Sequence, residues 1–148
     1  MGRVANEIIR AAAHLGFEVE RLTPLEVKQL WSTVESKYGY PSAQSFPWDS
    51  FHHERASVRD EQAWRKVGKY VGDRECVLLT CPNDEYTGFR LQSGSQLHRI
   101  LEETFGFEFF LSDHETTFVL CCNHHDYLIA SGEARAWLLA TSPVRTDE

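Results

Sequence analysis

CVLLTCPNDEYTGFRLQS, residues Cys76 to Ser93, decides how this chain is read. CVLLTC is a continuous apolar, β-rich run, the pattern of a buried strand. PNDEYTG gathers Pro, Asn, Asp and Gly, each of which favours a turn for its own backbone reason. In GFRLQS, Phe89 and Leu91 alternate with Arg90 and Gln92, the period of a strand with one buried face. Strand, turn and strand at this spacing make a hairpin, and a hairpin commits the second half of the chain to antiparallel pairing.

Beyond this hairpin, SGSQLHRILEETFG predicts a helix capped by Ser93 or Ser95 and ended by Gly106. FEFFLSD, TFVLCC and YLIAS read as three further strands, and GEARAWLLA as a short closing helix. Toward the N-terminus, Val4, Ile8, Ala11, Ala12 and Leu15 recur at helical spacing, with Gly16 as a C-cap. Thr23-Pro24-Leu25-Glu26 supplies an N-cap, a proline at the first helical position and a capping-box glutamate. Val27, Leu30, Trp31, Val34 and Tyr38 form the stripe of that second helix. A third is expected near Asp60 to Val71, with Trp64, Val67 and Val71 on one side and Gly72 closing it. YPSAQSFPWDSFHHER, Tyr40 to Arg55, has no period and reads as a loop. The expectation is a single α+β domain over residues 1–148, in the order ααα-ββ-α-βββ-α. Its antiparallel sheet would have about five strands, with helices on one face.

The chain has 148 residues, 42% hydrophobic and 25% charged, which is ordinary for one globular domain with its own core. No apolar run approaches the roughly 20 residues that cross a bilayer, and no signal peptide is visible, so a cytoplasmic protein away from membranes is expected. The four cysteines, Cys76, Cys81, Cys121 and Cys122, then read as reduced thiols. The net charge is −7 with no basic stripe, which argues against nucleic acid as a partner. It suits a basic protein partner.

The densest reactive cluster is CCNHHD, Cys121 to Asp126. As a metal site it would use thiolate and imidazole, which both suit zinc. Strand alternation, however, sends Cys122 and His124 one way and Cys121 and His125 the other, and no CxxC or HxxxH completes a set. As a nucleophile, Cys121 or Cys122 would be activated by His124, His125 or His114. Both cysteines end an apolar run, where a thiol is usually buried and inert. The pattern fits a hairpin loop best, with Asn123 and Asp126 bracketing two histidines between strands. No metal ligand, cofactor or catalytic residue is assigned. The second unusual segment, FPWDSFHHER, carries Phe46, Trp48, Phe51, His52, His53 and Arg55. Loops present recognition side chains, and aromatic and Arg residues dominate interface energetics. The candidate binding residues are therefore Trp48, Phe51, His52, His53, Arg55, His124, His125 and Asp126. Asp113 and Glu115, like Glu102 and Glu103, read as solvated charge. There is no glycine-rich phosphate loop and no Gly-x-Ser-x-Gly elbow.

TTFVLCCNHHDYLIASGEARAWL resembles the C-terminal part of small bacterial proteins. The element order, helices, then an antiparallel sheet, then a closing helix, is similar to the SUKH superfamily of immunity and cell-wall-regulator-like proteins. The resemblance implies a toxin-neutralising binding protein without an active site. No functional residue is carried over, because no motif matches position by position. The expected function is a cytosolic protein-binding domain, an immunity protein blocking a basic toxin domain. The alternative is an enzyme using the Cys121/Cys122, His124/His125 and Asp126 cluster, with or without a metal.

Overall fold

The computed structural model describes residues 3–38, 55–80, 87–104, 107–122 and 126–141. In chain order these form α1 (Arg3–Leu15), β1 (Glu20–Arg21), α2 (Pro24–Tyr38), β2 (Ala56–Arg59), α3 (Trp64–Val71) and β3 (Cys76–Leu79). There follow β4 (Gly88–Leu91), α4 (Gly94–Glu103), β5 (Phe109–Ser112), β6 (Phe118–Cys122), β7 (Tyr127–Gly132) and α5 (Glu133–Thr141). The strands make one seven-stranded sheet in the order β1-β4-β3-β5-β6-β7-β2, with every neighbouring pair antiparallel. The α+β class is as expected. The hairpin that decided it is present, with Cys76 opposite Leu91 and Leu79 opposite Gly88.

Two strands go beyond the expected five, β1 and β2, and they are the two edges of the sheet. Neither has a legible period: β1 spans two exposed residues, and β2 is the four-residue ASVR. Each is a strand only because a neighbour, β4 or β7, pairs with it. The third helix starts at Trp64 rather than Asp60. Residues Asp60 to Ala63 are a turn instead: Asp60 Oδ1 accepts from the Gln62 N–H and Asp60 O from the Ala63 N–H. An aspartate side chain that bonds the backbone two residues on stabilises a turn against a helix.

Helices cover both faces of the sheet, not one. Leu78, Phe89, Leu91, Leu111, Phe118, Leu120 and Leu128 face a core shared with α1, α3, α4 and α5. Val77, Leu79, Phe110, Val119, Cys121 and Ile129 face the other way, onto Val27, Trp31 and Val34 of α2. All four residues of β3 and of β5 are buried, which is why those strands read as continuous rather than alternating apolar runs.

The caps behave as their chemistry requires. Thr23 Oγ1 accepts from the Glu26 N–H at 3.1 Å, and the Thr23 N–H donates to the Glu26 carboxylate at 2.8 Å, a reciprocal capping box. Ser93, not Ser95, caps α4, accepting from the Gln96 N–H at 3.1 Å. Gly16 ends α1 with φ +76°, in the left-handed region.

Candidate functional site

β6 and β7 form the hairpin expected around CCNHHD, with Cys122 opposite Leu128. Asp126 is exposed, with φ +67°, and its carbonyl accepts from the Asp60 N–H at 2.8 Å. Asn123, His124 and His125 lie outside the described residues. The two thiols point to opposite faces: Cys121 is fully buried against the α2 side, and Cys122, half-buried, packs against the other core. Burial, reinforced by the charge of Asp60, pushes the Cys122 thiol well above its ordinary value. Burial likewise pushes Cys76 up to about 12. Neither of these two is a thiolate near neutral pH, and the thiolate is the form that attacks or ligates. Among the described residues, no group of three or more His, Cys, Asp and Glu side chains is placed to hold a metal ion.

Trp48, Phe51, His52 and His53 also lie outside the described residues. Arg55 is described, and it does not join Asp126. β2 pairs with β7 so that Ala56 faces Ala130 and Arg59 faces Tyr127. Arg55 therefore precedes the end of β2 next to Ser131, while Asp60, the hydrogen-bond partner of Asp126, follows the other end. Five residues of extended chain put them roughly 16 Å apart, at opposite ends of the sheet.

The end of the sheet that carries Arg55 also holds an open depression of about 290 Å³. It lies some distance across the sheet, where β3 begins, β4 finishes and β5 turns into β6. Cys76 and Val77 form its apolar part, with Glu75 before them and Arg90 of β4 beside them. Asp113, His114 and Glu115 of the β5–β6 turn complete it. That turn is closed by hydrogen bonds from within and from α2. Asp113 Oδ1 accepts from the Thr117 N–H at 2.8 Å and Oδ2 from the Thr117 hydroxyl, while Thr116 takes φ +52°. The end of α2 clamps it from outside: Lys37 Nζ donates to the carbonyls of Glu115 and Thr116 at 2.9 and 3.0 Å, and the Tyr38 hydroxyl to Thr116 O at 2.6 Å.

The electrostatics of the depression are acidic. Among the described residues that line it Arg90 is the one arginine or lysine, and Glu20 of β1 already pairs with it at 2.7 Å. Glu26 sits nearby: its carboxyl is held below the usual range first by the Thr23 hydrogen bonds and then by the charges of Arg90 and His114. Glu75, Asp113 and Glu115 thus leave an excess of negative charge around an apolar floor. These residues lie up to some forty positions apart in the chain, and no spacing rule joins them. Only the antiparallel register of β3 with β4 and β5 brings them together.

Comparison of this chain with family models, with curated proteins and with solved structures finds no match.

Proposed function

We propose that this chain is a protein-binding domain that takes a cationic protein partner, in the manner of a cytoplasmic immunity protein neutralising a basic toxin domain. The observation that carries the reading is the acidic depression, whose arginine is already neutralised by Glu20. A Lys or Arg side chain entering it would meet the carboxylates of Glu75, Asp113 and Glu115. The net charge of −7 supports the same reading, because it draws a cationic partner in from a distance. The described thiols support binding over nucleophilic chemistry, since Cys76 and Cys122 are held protonated by burial.

The test is co-expression with a toxin domain encoded beside the gene. The expected result is restored growth and a complex whose association rate falls steeply with salt. Glu75→Lys with Glu115→Lys is expected to abolish both while leaving the thermal midpoint nearly unchanged, because both side chains are exposed. Growth rescue that is indifferent to this double reversal overturns the assignment of the depression. Absence of any rescue or binding overturns the immunity reading.

A further inference from the structure

Among the described residues strand β1 is an edge of the sheet, and no described strand pairs with its outer side. The Leu22 N–H donates to Gly88 O at 2.9 Å, and Glu20 lies opposite Arg90. In an antiparallel ladder the hydrogen-bonded pairs alternate, so Glu20 and Leu22 turn their backbone groups toward β4. Arg21, and Val19 two residues before it, turn theirs outward.

The side chains along this edge alternate in the same register. Phe17 and Val19 are half-buried against the four-helix core, and Arg21 lies over the Phe89 ring at 5.8 Å on that same side. Glu18 and Glu20 are exposed, and Glu20 lies on the α2 side with Arg90. An incoming strand would thus find Phe17, Val19 and Arg21 along one face and carboxylates along the other. A second copy of this chain fits badly. Pairing the edge with itself through its outward residues sets Arg21 against Arg21, Glu20 against Glu20, or Glu20 against Glu18.

We infer that β1 is extended by an extended segment of a partner protein in which apolar residues alternate with Lys or Arg. The inference rests on the cationic partner proposed above and adds how part of it is held. Main-chain hydrogen bonds to Val19 and Arg21 give affinity, and the lysines beside Glu18 and Glu20 give selectivity. The Glu20–Arg90 pair joins this edge to the acidic depression, so one partner reaches both.

The experiment uses the full chain and a fluorescent synthetic peptide alternating valine and lysine, with a valine–glutamate peptide as the control. The wild type is expected to bind the lysine peptide at least about tenfold more tightly than the glutamate peptide, with the preference shrinking in salt. Arg21→Pro removes an outward N–H for which the described residues supply no acceptor, and proline is tolerated at such edge positions. It is expected to stay folded by circular dichroism and to lose the peptide at least about tenfold. Glu18→Lys with Glu20→Lys tests the same edge without touching the backbone and is expected to reverse the peptide preference. If Arg21→Pro and the charge reversal both bind the lysine peptide as wild type does, the edge inference is overturned. If the peptide is instead lost only in Glu75→Lys with Glu115→Lys, the edge inference fails while the cationic reading stands. No binding of either peptide to wild type overturns the inference outright.

Discussion

The Tyr70 hydroxyl donates a 2.6 Å hydrogen bond to Oε1 of Glu133, a residue 63 positions further along the chain. Arg74 Nη1 reaches the same oxygen at 3.0 Å, and the Tyr70 ring meets Phe118 edge-on at 5.0 Å. The end of α3 is thereby tied to the start of α5 over the face of β6. The hydrogen bond from Tyr70, and after it Arg74, holds the Glu133 carboxyl below its ordinary value. Burial, followed by this same bond, raises the Tyr70 hydroxyl well above its own.

Tyr70→Phe is therefore expected to lower stability at pH 7 by about 1 kcal/mol, a hydrogen bond to a charged group discounted for its exposure. A carboxyl depressed in the folded state contributes stability that is present above its unfolded value, near 4.5, and is lost as pH falls through the folded value. Urea unfolding at pH 7 and at pH 3 checks this. The gap between wild type and variant narrows at the lower pH, and an equal gap at both defeats the account.

Gly68 and Gly94 let α3 and α4 touch backbone to backbone. A Cβ on Gly68 would stand 2.6 Å from the Gly94 carbonyl oxygen, and one on Gly94 would strike the Gly68 carbonyl. The Gly94 N–H meanwhile donates to Gly72 O at 2.7 Å, so the helices cannot slide apart without losing that bond. Gly94→Ala is expected to cost about 3 kcal/mol or more, a small-to-large change in a contact with no slack. Thermal unfolding of the variant is the measurement, and a shift of a degree or less counts against this packing.

Removing the Thr23 cap isolates the contribution of α2, the one described helix on its face of the sheet. Thr23→Ala is expected to cost about 1 kcal/mol, with faster amide exchange in the first turn of α2 than elsewhere. Thr23→Ser should restore most of the loss, since a serine hydroxyl can accept from Glu26 in the same way. Exchange that rises uniformly over the whole chain would contradict a local cap.

The thiols supply a kinetic check. Cys76, Cys121 and Cys122 are expected to resist an aromatic disulfide reagent in the native protein at neutral pH. All three should react at once in denaturant. Site-resolved mass spectrometry reads this directly, and rapid native labelling at Cys122 would return the nucleophile reading to contention.

Elements that bury a face of their own are readable from runs of consecutive residues. The α2 stripe of Val27, Trp31 and Val34, the capping box at Thr23 and Glu26, the continuous run of β3 and the antiparallel pairing of β6 with β7 were all legible. Each is a statement about the periodicity or hydrogen bonding of a few consecutive residues. The edge strands β1 and β2, the placement of α2 on the second face and the acidic depression arise instead from long-range pairing and packing. Glu20 and Arg21 have no strand period of their own, because an edge strand is defined by the neighbour that pairs with it. Glu75, Arg90 and Asp113 come from three strands or their ends, and only the sheet register brings them together. Tertiary structure likewise parted Arg55 from Asp126, because antiparallel pairing of β2 with β7 sets the residues before and after β2 at opposite ends of the sheet.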